Sequence, residues 1–190
     1  MIQGLDQIII SEMIIMDVKV FRAINQMTGR STLVDQFMIL ISNKVRYVYF
    51  LILIVIWFKK YPYRQMTNNA VISAFITLIL NIFLKLCISK PRPFMKSRVG
   101  ILIPSKMDSS FPSKHTLLVF AVSTSVLLYN RVLGSIMCGL AVMTGITRIW
   151  VRHHYPSDII GSAILGSVTS MCVHKNSREE NVKTFSKIFN

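Results

Sequence analysis

Three short stretches hold most of the residues able to do chemistry: KLCISKPRP (85–93), FPSKHTLLVF (111–120) and TRIWVRHHYPSD (147–158). The residues singled out in them are five cations (Lys85, Arg92, Lys114, Arg148, Arg152), three imidazoles (His115, His153, His154), Ser113 and one carboxylate, Asp158. That balance suits an anion, and guanidinium forks with lysine point charges are the usual partners of phosphate oxygens. Ser113 and the amides after Pro112 sit where a helix start would offer unpaired N–H groups to a phosphate. His154 and Asp158 are four residues apart. If HYPSD opens a helix, Pro156 is tolerated in its first turn and the pair can share a face. The carboxylate would then hold one imidazole nitrogen and leave the other nucleophilic. His115, at another helix start, is placed to act as general acid toward a leaving group. The chemistry expected is phosphoryl transfer through histidine. With no HExxH and no carboxylate cluster, neither a metal nor a cofactor is expected.

The elements that must position these residues are membrane helices. The chain of 190 residues is 52% hydrophobic and 16% charged, against about 25% charged in ordinary soluble domains. Its net charge of +14 is interspersed with long apolar runs, which points away from nucleic acid and toward anionic lipid headgroups or an anionic substrate. The runs cover 45–58, 70–89, 116–129, 132–150 and 158–173. An all-α, polytopic membrane bundle of about five spans is therefore predicted, with Gly134, Gly139, Gly145, Gly161 and Gly166 available for close packing. Asn81, inside the second run, is expected to make an interhelical hydrogen bond. Almost no loop separates the third and fourth spans, which should form a tight hairpin. This connectivity brings the end of span two, the following loop, the starts of spans three and five and the end of span four to one membrane face. All the conspicuous polar residues belong to those segments.

Upstream, DVKVFRAINQM (17–27) sets Val18, Phe21 and Ile24 on one side, and TLVDQFMILIS (32–42) is apolar but interrupted by Asp35. These two are either interfacial amphipathic helices or one packed hairpin. The expected organisation is an N-terminal interfacial region (1–43), a membrane core (44–175) and a charged tail (176–190). IIISEMIIM (8–16) is short, contains Glu12 and lacks a basic leader, so no cleavable signal is expected there. Cys87, Cys138 and Cys172 have no ligand spacing and read as small apolar residues.

The three stretches together resemble the signatures of the type 2 phosphatidic acid phosphatase superfamily: a Lys seven before Arg-Pro, then Pro-Ser-Gly-His, then Ser-Arg, five residues, His, three residues and Asp. Within it the chain looks most like the bacitracin-resistance type of bacterial undecaprenyl-diphosphate phosphatases. The resemblance implies that Lys85, Arg92 and Arg148 hold phosphate oxygens, assisted by Ser113 and the Lys114 amide. It implies that His154 attacks phosphorus, that Asp158 orients it, and that His115 protonates the departing lipid phosphate and then activates water. It further implies a polyprenyl diphosphate substrate, a lipid bilayer as the working environment, and a bacterial cell membrane as the location.

Three positions depart from the pattern. Lys114 stands for Gly, and is strained if that site needs a left-handed backbone; otherwise it can reach a second phosphate. Thr147 stands for Ser and keeps a hydroxyl. Arg152 stands where Gly is common, either adding a phosphate-binding cation or obstructing the pocket. Taken singly, Lys85 and Arg148 would read as snorkelling anchors; their joint spacing argues for more. His153 reads as a neighbour of the site, and Lys90, Lys96, Arg98 and Lys106 as contacts for lipid headgroups. Discounting the functional cations, the basic turn KKYPYR and the basic tail place the C-terminus inside and the site outside. The competing readings are a lipid monophosphate phosphatase of the same superfamily and a non-catalytic anion or drug permease subunit.

Overall fold

The structure, a computed structural model, describes residues 2–59, 61–96, 102–103 and 107–189. Arg98 and Lys106, expected at lipid headgroups, lie outside them. The described chain is helical throughout, in the order α1 (Ile2–Asn25), α2 (Thr32–Trp57), α3 (Tyr63–Cys87), α4 (Pro93–Lys96), α5 (Lys114–Leu127), α6 (Arg131–Trp150) and α7 (Pro156–Phe189). α2, α3, α6 and the Pro156–Glu180 part of α7 are long and apolar enough to cross a membrane. α5 is shorter, at 14 residues, or about 21 Å at 1.5 Å per residue. It is the central helix, enclosed by α3, α6 and α7, with Thr116, Leu117, Ala121 and Val126 fully buried. The five apolar runs thus become five helices, four of them around the short buried α5.

The packing is that of a protein solvated by hydrocarbon. Large side chains such as Phe50, Leu51, Phe75, Ile82, Phe83 and Leu86 point outward, while Ser73, Thr77, Ser125 and Ser170 are buried. Lipid tails are as apolar as leucine, so helices associate through close packing and interhelical hydrogen bonds. Ser125 Oγ lies 2.6 Å from Ser170 Oγ and donates to Ser73 Oγ at 3.2 Å, joining α3, α5 and α7. Gly166 lets α7 press onto α5, since a Cβ there would meet the Leu117 carbonyl oxygen at 2.5 Å. Tyr49, Met66, Val126 and Met137 form the main apolar cluster, at the end of the bundle away from the polar residues.

Two N-terminal expectations meet different outcomes. On α1, Phe21 is buried, and Val18 and Ile24 pack with it against Ile149, Tyr155 and Ile159. The stretch 32–42, in contrast, is no separate segment but the first half of α2, so the expected boundary at residue 43 falls inside a continuous helix. The reason is Asp35, which breaks the apolar pattern yet is satisfied in the first turn. It accepts the indole N–H of Trp150 at 2.7 Å and the amide of Gly29 at 3.0 Å. The α5–α6 hairpin is as tight as its sequence implied, with Asn130 Oδ1 capping α6 by accepting from the Leu133 amide at 3.0 Å. At the far end, the region expected as a tail from residue 176 continues α7.

Candidate active site

A cavity of about 460 Å³ opens where α3 and α6 end and α5 begins. Lys85 reaches it from α3, Lys114 and His115 from α5, Arg148 from α6, and Arg92, His153 and His154 from the loops. A larger depression of about 860 Å³ lies at the opposite end of α2 and α3, beside Trp57 and Arg64. It contains none of the residues singled out for chemistry, so size alone is a poor guide here.

His154 is buried, with its ring fixed from one side. Its Nδ1 lies 2.6 Å from the carbonyl oxygen of Ser110, close enough for Nδ1–H to donate there. Asp158 Oδ2 is farther, at 3.8 Å, and accepts the Tyr155 amide at 2.9 Å. The carbonyl therefore selects the tautomer and Asp158 adds charge from behind, which leaves the Nε2 lone pair for the cavity. α7 begins at Pro156 as the sequence suggested, so Asp158 lies in its first turn and His154 just before it. Burial pushes the His154 imidazole down to about 4, Arg148 and Arg92 push the same way, and Asp158 opposes. Those influences favour the neutral ring at neutral pH.

Arg148 and Arg92 are the buried cations of the cavity wall. For Arg148 the partners come from two segments. Its guanidinium donates to Ser42 Oγ at 2.8 Å and lies 2.9 Å from His153 Nδ1. Its Nε has no protein acceptor among the described residues, a donor suited to an incoming oxyanion. His153 is spent on both sides, its Nε2 lying 2.9 Å from the Ile103 carbonyl oxygen. Burial, then Arg148, hold that ring down to about 4. It orients Arg148, as a neighbour of the site would.

Lys85 and Arg92 meet on Asp108. Lys85 Nζ is 2.6 Å from Asp108 Oδ2, and Arg92 donates to Oδ1 through Nε at 3.1 Å and through a terminal nitrogen. Partial burial works against the charge on Asp108, but hydrogen bonds from Lys85 and Arg92 outweigh it and keep the carboxyl below its usual range. The carboxylate sits where the two cations converge on the cavity wall.

Three expected site residues do not line the cavity. Ser113 is fully buried beneath it, its amide donating to Ser162 Oγ at 2.8 Å and its hydroxyl 3.1 Å from Thr116 Oγ1. Asp158 lies behind His154. Arg152 turns away: its Nε donates to Asn25 Oδ1 on α1 at 2.7 Å. Lys114 begins α5 in helical conformation, so the strain that a left-handed backbone would impose there does not arise; the non-glycine residue with a left-handed backbone is Arg152, with φ of 65°. The Arg-for-Gly difference thus falls at a position whose backbone favours glycine. Thr147 is buried in α6, donating to the Thr144 carbonyl at 2.7 Å. Asn81 makes its expected polar contact, but to the loop: Nδ2 donates to the Pro112 carbonyl at 3.2 Å.

Sequence reasoning missed Arg46 and Asn43 of α2, which also line the cavity. A cation inside an otherwise apolar helix was the available signal. It missed Asp108, an acid in a basic loop, and Lys90, which is bonded to Asp158 at 2.7 Å and does not reach for headgroups. The Ser110 carbonyl left no signal, because any residue carries one.

Fold and site together define an integral membrane phosphatase, a hydrolase. Residues 67–181 match the PAP2 superfamily, and the chain belongs to that family. It is 35% identical over 154 residues to Undecaprenyl-diphosphatase BcrC of Bacillus subtilis (strain 168), covering 80% of each chain. It is 30% identical over 160 residues to a protein of Bacillus licheniformis named Bacitracin transport permease protein BcrC, covering 83% of this chain and 79% of that one. Among solved structures, Aquifex aeolicus LpxE superposes with a TM-score of 0.73 at 25% identity, over 83% of this chain and 94% of that one.

Asp108→Asn removes the charge competing for Lys85 and Arg92. Because Asp108 is partly exposed, the gain is modest: inorganic phosphate should inhibit with a Ki lower by about fivefold. An unchanged or higher Ki, measured as competitive inhibition of turnover, would mean that anions do not meet those cations.

Proposed function

We propose that the chain removes the terminal phosphate of a polyprenyl diphosphate, of the undecaprenyl kind, through a phosphohistidine and without a metal. The observation that carries this reading is the setting of His154. Its Nδ1 is engaged by the Ser110 carbonyl at 2.6 Å, and its ring borders the same cavity as His115 and the cations. Nε2 attacks the terminal phosphorus as the bond to the lipid phosphate oxygen breaks. His115 delivers a proton to that oxygen. Lys85, Arg92, Arg148 and Lys114 match the charge spreading over the phosphoryl oxygens, a fixed electrostatic arrangement of the kind that supplies most of the rate in phosphoryl transfer. His115 then takes a proton from water, the resulting hydroxide attacks the phosphohistidine, and inorganic phosphate leaves with His154 restored.

The diphosphate is favoured by the number of cations around the cavity and by the relative from Bacillus subtilis, named as an undecaprenyl-diphosphatase. Ser113 supports the start of α5 from below, and Arg152 is proposed to brace α1 rather than to bind phosphate. A permease reading has one specific observation behind it, the printed name of the Bacillus licheniformis relative. A conduit for an anion, however, has no use for a nucleophile poised beside an acid.

Phosphate release from undecaprenyl diphosphate by purified protein in detergent should survive EDTA. It should fall at least about a thousandfold in His154→Ala, and a lipid monophosphate such as phosphatidylglycerophosphate should be the poorer substrate. Release abolished by EDTA, or retained in the variant, contradicts the mechanism; a preference for the monophosphate names the other lipid class.

We also place the cavity on the extracytoplasmic face, where lipid diphosphates are left after export of cell-wall polymers. Met107, beside Asp108, is 84% exposed. In a variant whose Cys87, Cys138 and Cys172 are replaced by Ser, Met107→Cys should react with an impermeant maleimide on intact cells. Protection until lysis would put the site inside.

A further inference from the structure

The lysine assigned from sequence to the membrane surface is folded inward. Lys90 Nζ lies 2.7 Å from Asp158 Oδ1, 2.7 Å from Ser157 Oγ and 3.2 Å from Asp17 Oδ2. It also stands 4.9 Å from the centre of the Tyr155 ring. Asp17, on α1, is held in turn by Ser157, whose amide donates to Oδ1 at 2.8 Å and whose hydroxyl donates to Oδ2 at 2.6 Å. We propose that Asp17 and Lys90 are positioning residues for the His154–Asp158 pair, fixing the Asp158 carboxylate from behind and setting the charge it presents to the imidazole. This rests on the reading of His154 as nucleophile.

Both Asp158 oxygens are tied, Oδ1 to Lys90 and Oδ2 to the Tyr155 amide, so the carboxylate cannot swing away from His154. Lys90 alone, however, would cancel it. An ammonium at 2.7 Å from a fully buried carboxylate leaves a neutral pair, which does little for an imidazole turning positive as Nε2 bonds to phosphorus. Asp17 restores the balance: two carboxylates and one ammonium carry a net single negative charge behind the ring. Asp17 is 11% exposed and Lys90 32%, so solvent screens this charge only in part. Asp17 precedes residues 67–181, the part matched to the family, and gives α1 a task at the site beyond packing.

Other charges also face His154. They are Arg148 from α6, Arg92 from the loop before α4, His115 from α5, the adjacent His153, and Asp158 itself from α7. Changing Asp17 or Lys90 leaves the charges of Arg148, Arg92, His115 and His153 in place and acts through Asp158, so opposite changes at those two residues should act on His154 with opposite sign. Lys90→Gln unmasks negative charge and favours the imidazolium. Asp17→Asn leaves Lys90 to neutralise Asp158 and disfavours it.

The test is an NMR titration of the full-length protein in detergent micelles with ring-labelled histidine, the His154 signal being identified by its loss in His154→Asn. Relative to the parent, the His154 midpoint should rise by about 1 in pH in Lys90→Gln and fall by a similar amount in Asp17→Asn. It should return near the parental value in the double variant and stay there in the charge-keeping Lys90→Arg. With lipid substrate, kcat should fall in both single variants while KM holds, because neither residue lines the cavity. Shifts of the same sign, no shift, or a shift in Lys90→Arg equal to that in Lys90→Gln would make the cluster a packing feature and overturn the proposal. The titration needs no substrate, so its outcome is separate from that of the phosphatase reading, which fails instead if His154→Ala retains turnover.

Discussion

A carboxylate with no exposure to solvent, Asp158, is the feature around which this end of the bundle is arranged. Removing such a group from water costs several kcal/mol even after relaxation, and the cost is offset only by partners with good geometry. Lys90, the Tyr155 amide and, one step farther, Asp17 supply them. Those partners come from a loop, from the turn before α7 and from α1, so satisfying one charge pins three separate segments. His154 inherits its placement from that arrangement, and the Ser110 carbonyl completes it.

The membrane setting explains why the polar machinery can be so concentrated. In lipid, the bundle gains little from burying large apolar side chains, which stay outside at Phe83 and Leu86. Its interior is free to hold small and hydroxylated residues that draw the helices close. The short α5 then begins deep among its neighbours, with the polar segment before it completing that part of the bundle. Lys114 and His115 thereby come level with Asn81 and Arg46, mid-bundle residues that also border the cavity. A neutral imidazole next to several cations is the electrostatic outcome, unfavourable for protonation.

Much of this was legible in the sequence where chemistry depends on side-chain type at fixed spacing. Lys85, Arg92, Lys114, His115, Arg148 and His154 all reach one cavity, because connectivity between apolar runs forces their helix ends together. What escaped depended on contacts between residues distant in sequence or on groups without identity. Lys90 and Asp17 are 73 residues apart, and nothing local marks them as partners. A backbone carbonyl holds His154, and carbonyls carry no sequence signal. Asp35 suggested a break in a helix because its partner, Trp150, lies 115 residues away. Arg152 looked like one more phosphate cation, but its backbone conformation directs it to Asn25.

The central claim is that His154 Nε2 becomes covalently phosphorylated, and trapping that species tests it most directly. Purified protein mixed with substrate carrying radioactive phosphorus in the terminal phosphate, then quenched in alkali within the first turnover, should yield protein-bound label that is stable to base and lost in acid. Proteolysis should place it on the peptide containing His154, and His154→Asn should carry none. A burst of inorganic phosphate with no bound label, or label on another residue, would contradict the account and give the first chemical step to water or to a different side chain.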